Sequence, residues 1–490
     1  MATQIVAHQP ATLASYLFCH PYPLMRLLFL ALLLTLPVTG ITALPLVASA
    51  PPDNTADCRD WLAEQQAALA RAGIADRAAW PIAGFAHLRG NRWLAFLQQS
   101  LQQPSASDSV RSLWLERASD EAWRGLRSEL ARLYGSQDPD QEDWHGTLRH
   151  CIDLLTRYTA FVGVPTLSIA DAHQGWPRRL GLHQLSRWLL DADRRAQQAT
   201  RETFRKPARL TVRHYLPQPF RGNVPHPAAL PPNELDLPIP RGPSARALLA
   251  HYAPVLSIAD PRDVNQPGRV IIDNGVTTVD SRDPVVYNWL SWTYFRGHHL
   301  LQLNYRFWFS ARPQSSDGVH FSGPLDSVLW RVTLKPDGHV LYYDSVRGDG
   351  SSHSVYPVAR GLIPQQRGPA APVYYPELVA NAAVQRINLL LEPDSHRIAR
   401  VSGFNREAET RFYQAVDGDQ LRHLPGSDGG VVSIYDERGI VSVSRRSARF
   451  FYWATGVDAV GAQRQSTRMP ISLDQSRHFD DADLTRWLFR

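Results

Sequence analysis

An α+β fold is predicted: a helical N-terminal domain, then a Pro-rich strap, then an antiparallel β-rich domain. Three observations predict it. Apolar residues recur at three- and four-residue steps from Cys58 to Arg205; nine prolines fall between Pro217 and Pro243; and beyond Leu248 apolar and polar residues alternate around tight-turn signals. At 490 residues the chain is longer than one compact core usually holds, so two or three folding units are expected.

Residues 1–24 carry no Lys or Arg and include Pro10, Pro21 and Pro23, the character of upstream, non-native sequence rather than of a transit peptide. Met25 then opens a segment, 25–50, in which Arg26 is a minimal positive region, Leu27–Leu36 an apolar core and Ala48-Ser49-Ala50 a small-residue cleavage pattern. That is a signal peptide and implies a periplasmic or secreted protein. The alternative is an uncleaved inner-membrane anchor through 27–48, because the stretch is long enough to span and Pro51 hinders cleavage after Ala50. Cys58 and Cys151 are the two cysteines past this segment, and in an exported chain they are expected to pair.

The helical domain is placed at 51–210. A helix follows Cys58 and stops at Gly73; a second runs from about Asp120 to Tyr134 with Gly135 as its stop; a third runs from about Leu148 to Val162. A fourth is expected over 182–206, where Leu185, Trp188, Leu189, Ala192, Ala196 and Ala199 share one face and Pro207 ends the run. Residues 211–245 are too rich in proline for a helix or a central strand and read as the linker. In the β-rich domain, 246–490, hairpins are expected at 328–343 around Lys335-Pro336-Asp337-Gly338, at 387–401 around Glu392-Pro393-Asp394-Ser395, and at 431–443 around Asp436-Glu437-Arg438-Gly439. Near the end, an Asp within His478–Asp483 is expected to cap a short final helix.

The longest strand pair should be 285–295 with 300–309. If Phe295 faces Leu300, alternation puts Asn288, Leu290, Trp292 and Tyr294 with Leu301, Leu303, Tyr305 and Phe307 toward the core. The other face carries Tyr287, Trp289, Gln302, Asn304, Arg306 and Trp308, with Arg306 opposite Trp289. Rings interleaved with amides and a guanidinium suit stacking on sugars and bonding to hydroxyls; the alternative is that the helical domain or the proline strap packs on this face. A second group, His298, His299, His320, Asp326, Asp344, Asp349 and His353, lies in or beside loops, where histidine and carboxylate serve acid–base work. Its spacing matches no metal-ligand pattern, so no metal and no cofactor are expected.

Net charge is +6, yet of 52 basic residues only Lys206 and Lys335 are lysines, and the arginines are scattered among acids. A nucleic-acid binder clusters its basic residues, so no nucleic-acid partner is expected. There is no GxSxG, HExxH or Walker loop. The strings GPLDSVLWRVTLKPDGHVLYYDSV and GSDGGVVSIYDERGIVSVSRRSARFFYWATGV, with RHFDDADL and, in the helical half, FAHLRGNRWLAFL, resemble a family of exported bacterial proteins with no established activity. The resemblance implies export and a two-part layout, and it transfers no catalytic residue. The expected function is a non-catalytic envelope protein that binds a glycan or an envelope protein through the aromatic-polar face. The alternative is a metal-dependent or acid–base hydrolase of envelope polymers that uses the loop His and Asp residues.

Overall fold

The computed structural model describes residues 53–490 apart from 77, 102–106, 137, 139–141, 174, 183–211, 224–236, 261, 315–318, 366–371, 375–385, 405–409, 428 and 474. The apolar segment 27–50 and all but the first residue of the helix expected at 182–206 lie outside the described residues. Among the described residues no helix is long and apolar enough to cross a membrane. The fold is α+β, with helices in the N-terminal part and a large sheet after them.

Four helices form the first part: α1 (Thr55–Ala72), α2 (Arg92–Leu101), α3 (Asp108–Tyr134) and α4 (Asp143–Val162). Their ends follow from local chemistry. The Asn54 side chain accepts the Ala56 and Asp57 amides at the start of α1, and Gly73 and Gly135 close α1 and α3 at φ 64° and 68°, a conformation that costs a residue with a Cβ more than it costs glycine. Leu62 and Leu69 of α1 pack with Leu126 and Leu130 of α3 and with Leu148, Ile152 and Leu155 of α4. Cys58 and Cys151 form a disulfide that ties α1 to α4, with Cα atoms 5.1 Å apart. Between α1 and α2 lies a hairpin that the helical period did not announce, β1 (Trp80–Ile82) with β2 (Phe85–Gly90).

The sheet elements are β3 (Val212–Pro217), β4 (Val255–Ala259), β5 (Arg269–Asp273), β6 (Val276–Asp280), β7 (Val285–Phe295), β8 (His298–Arg312), β9 (Gly323–Leu334), β10 (Val340–Arg347), β11 (Ser354–Pro357), β12 (Val373–Tyr374), β13 (Ile387–Leu391), β14 (Ile398–Gly403) and β15 (Thr410–Asp417). Eleven of the strands form one sheet, ordered β12-β11-β10-β9-β8-β7-β15-β3-β4-β13-β14. It is mixed, because β11–β12, β7–β15, β15–β3 and β4–β13 pair in parallel. Residues 212–217, read from sequence as the start of the linker, are the interior strand β3 instead. Their run VRHYL is strand-prone, and Pro217 sits at the strand's end, where its missing N–H does least harm.

The β9–β10 hairpin forms around Lys335–Gly338, with the Lys335 amide donating to the His339 carbonyl at 2.8 Å, and β13–β14 forms around Pro393–Ser395. The hairpin expected at 431–443 does not. The turn exists, with the Gly439 amide donating to Asp436, but Val431–Val432 pairs with Leu424–Pro425, and Ile440 bridges to Arg464 instead of to the strand before the turn. The final helix, Leu484–Leu488, forms without a side-chain cap: Asp483 turns its carboxylate to Arg477 at 2.8 Å.

Strands β7 and β8 pair two residues out of the expected register. Phe295 faces His298, because Arg296 and Gly297 alone make the turn, both at positive φ. Arg306 therefore lies opposite Tyr287, and Asn304 opposite Trp289. A shift of two keeps every side chain on its expected face. One face packs Leu301, Leu303, Tyr305 and Phe307 into the main core.

The helical part and the sheet pack directly, within one compact unit spanning Ala50–Arg490. Trp93 of α2 lies 5.4 Å from Trp292 of β7, ring to ring, and its indole N–H donates to His299 Nδ1 at 3.4 Å. Asp76 is paired with Arg422, and its backbone amide donates to Glu129, which also takes both ends of the Arg89 guanidinium.

Candidate functional site

The face holding Tyr287, Gln302, Asn304, Arg306 and Trp308 is closed: each of these side chains is at most 2% exposed, and Trp289 is partly buried. It therefore presents no surface to a ligand. Its cover is the C-terminal segment, distant in sequence, together with the β5–β6 hairpin, whose Val270 and Val279 pack with Tyr287 and Trp308. Arg306 donates to the Ser327 hydroxyl at 2.9 Å and to the Arg464 carbonyl at 2.6 Å, and its guanidinium lies 4.1 Å from the Trp308 ring. Gly348 is needed for this closeness, since a Cβ there would stand 2.0 Å from both Gln463 Oε1 and Ser327 Oγ.

The His/Asp group is divided among different surroundings. Asp344 takes Arg331 through two bonds, at 2.9 and 2.5 Å, and His353 at 2.9 Å; Arg331 also donates to the Phe479 carbonyl and stacks on that ring at 3.6 Å. Asp326 holds Arg347 at 2.8 Å, His396 at 2.9 Å and Gln463 at 3.0 Å. Burial alone would raise its pKa, but Arg347, His396 and Arg312 hold it well below the usual carboxylate range. Asp349 faces Arg312 at 3.6 Å. All these carboxylates are buried; Asp326 and Asp344 are each held by a guanidinium and an imidazole, the arrangement of a structural fixture. His298 is exposed and stands apart. His299 is buried against Trp93.

His299 carries a measurable consequence. Burial, with the neighbouring His298, lowers its pKa from 6.5 to about 4. The unfolded chain takes up a proton near 6.5 while the folded chain resists until about 4, so this group's stability is complete above pH 6.5 and is lost on acidification through that window. The loss is about 3 kcal/mol. Urea midpoints measured from pH 4 to 7 should show a shallower slope in His299→Gln than in the wild type; parallel slopes would refute the assignment.

His320 leads to an open surface. Its ring lies 4.1 Å from Phe451, and Phe451 belongs to an exposed aromatic cluster that the sequence pattern did not reveal. The short helix Ala448–Phe451 is anchored from below by buried Ala448, Tyr452, Val457 and Val460 and presents Phe450 outward, 64% exposed. Trp453 follows, 47% exposed, and faces Trp176, 62% exposed, with ring centroids 5.8 Å apart and planes tilted by 37°. Leu180 is exposed beside them in the chain.

The two tryptophans come from distant segments held at one point. The Gly175 amide donates to the Gly456 carbonyl at 3.2 Å, and a Cβ on residue 175 would stand 2.5 Å from that oxygen. Arg178 donates to the Leu473 carbonyl at 3.1 Å, Arg179 is exposed three residues on from Trp176, and Arg449 lies over the Phe450 ring at 4.6 Å. Large aromatic rings open to water in one place are uncommon on a folded surface.

The same loop, just before Gly175, brings Asp171 and His173 against His478. The ring centroids of the two histidines are 5.2 Å apart. Beside them Arg92 pairs with Asp480 at 3.2 Å, and burial, opposed by Arg92, still holds Asp480 up to about 7. Compared with known protein families, curated proteins and solved structures, the chain matches none.

Proposed function

We propose that this is an exported envelope protein that binds an acidic glycan through the Trp176–Trp453 surface. The observation that carries the reading is the pair of exposed, tilted indole rings, fixed by the Gly175–Gly456 contact, with Arg178 and Arg179 in the turn after Trp176 and Arg449 four residues before Trp453. Sugar rings offer C–H faces that pack on indole, and guanidinium groups pair with carboxylate or phosphate substituents. The Cys58–Cys151 disulfide supports export, since such bonds persist in oxidising compartments. The surface replaces the closed face of β7 and β8 as the place of binding.

Titrating the full chain with polygalacturonate and with soluble peptidoglycan fragments, followed by indole fluorescence, tests it. Saturable binding is expected. The double variant Trp176→Ala with Trp453→Ala should lose at least about 30-fold in affinity, near 2 kcal/mol, at unchanged thermal stability. Gly175→Ala, which splays the two segments, should weaken binding in the same direction. Equal binding by wild type and double variant would end the proposal, as would binding to anionic lipid vesicles with none to either glycan.

A further inference from the structure

We propose that Asp171, His173 and His478 form a binding site for a divalent transition-metal ion of the zinc type, a site independent of the glycan surface. The hydrogen bonds around the cluster fix which ring nitrogen carries the lone pair: the Ala172 amide donates to His478 Nε2 at 3.2 Å, and a bound ion would take that amide's place. His173 Nε2 donates to the Ser472 carbonyl at 2.6 Å, which presents Nδ1 to Asp171 Oδ1 at 2.9 Å. With Nε2 carrying the proton, two lone pairs confront each other there unless a proton or a metal ion lies between them.

His478 Nε2 stands 3.5 Å from the same carboxylate oxygen, and all three ligand atoms lie within 4.8 Å of one another. Tetrahedral ligands about 2.0–2.1 Å from zinc are about 3.3 Å apart, so the observed 2.9 and 3.5 Å need only a small adjustment. Two imidazoles with one carboxylate select a borderline ion over calcium or magnesium, which prefer oxygen throughout.

The outer surroundings match. His478 turns Nδ1 toward Asp481 at 3.8 Å, and Ser476 donates to the second oxygen of Asp171. Such carboxylate and hydroxyl partners orient metal ligands. The Asp171 side chain is 31% exposed, which gives an ion a way in. Three protein ligands leave a fourth position to water, the pattern of ions that activate water rather than serve only as staples.

The test uses the full chain, stripped with chelator, dialysed and titrated calorimetrically with zinc chloride, then with cobalt chloride under visible spectroscopy. One equivalent of zinc per chain is expected, with the intense visible bands of four-coordinate cobalt. His478→Gln should lower zinc affinity at least about 100-fold, and Asp481→Asn about tenfold, within the range for an outer partner. Because His478 is buried, Asp171→Asn serves as the second variant if His478→Gln does not fold. A folded wild type that binds no zinc would show that the cluster is only a hydrogen-bonded His–Asp pair. Undiminished binding in Asp171→Asn would equally overturn the proposal.

Discussion

Arg331→Met is expected to destabilise the protein by about 3–5 kcal/mol, because it strands the Asp344 carboxylate in an interior where only His353 would remain to face it. The pair is bidentate and fully buried, and the same guanidinium holds the Phe479 carbonyl and ring of the C-terminal segment. Losing it thus loosens the cover on the β7–β8 face as well. Asp344→Leu alone should cost a similar amount, since it leaves Arg331 charged and buried. The double variant should recover much of the loss, because two apolar side chains of similar volume need no partner. Urea unfolding of the four proteins gives the coupling energy directly. A single variant within about 1 kcal/mol of wild type would show that the pair is not what fastens the segment.

Reduction of the Cys58–Cys151 bond should have a comparable effect. The bond closes a loop with a sequence separation of 93 residues, and the chain-entropy relation gives about 4.6 kcal/mol at 25 °C for a loop of that size. Both sulfurs lie in the core shared by α1, α3 and α4, so the helical part should lose structure first. Cys58→Ala with Cys151→Ala, compared with wild type in urea with and without reductant, isolates the contribution. If wild type with reductant and the double variant both unfold at the oxidised midpoint, the bond adds nothing.

What could be read from the sequence was local. Gly73, Gly135 and the Lys335–Gly338 turn act within a few residues, and each formed where expected. The face assignment of β7 and β8 survived a register two residues out, since a shift of two preserves alternation while changing every opposite pair. The closure of the aromatic-polar face could not be read, because Gln463, Arg464 and Phe479, which meet Arg306 and Arg331 from across the fold, leave no periodic mark. For the same reason Asp171-x-His173 carried no signal: its third partner, His478, comes from the other end of the chain. Trp453 lies in the stretch GSDGGVVSIYDERGIVSVSRRSARFFYWATGV, from which no residue chemistry could be read. Its Trp176 counterpart becomes significant only once Gly175 meets Gly456.

Strand β15 sits between two groups of strands that are otherwise separate, pairing in parallel with β7 on one side and with β3 on the other. Its partners lie about 130 and 200 residues upstream, and such non-local pairing raises contact order and slows folding. The two half-sheets have no seam until residues 410–417 arrive. A chain emerging in order, N-terminus first, thus keeps both edges unpaired until residues 410–417 have been made.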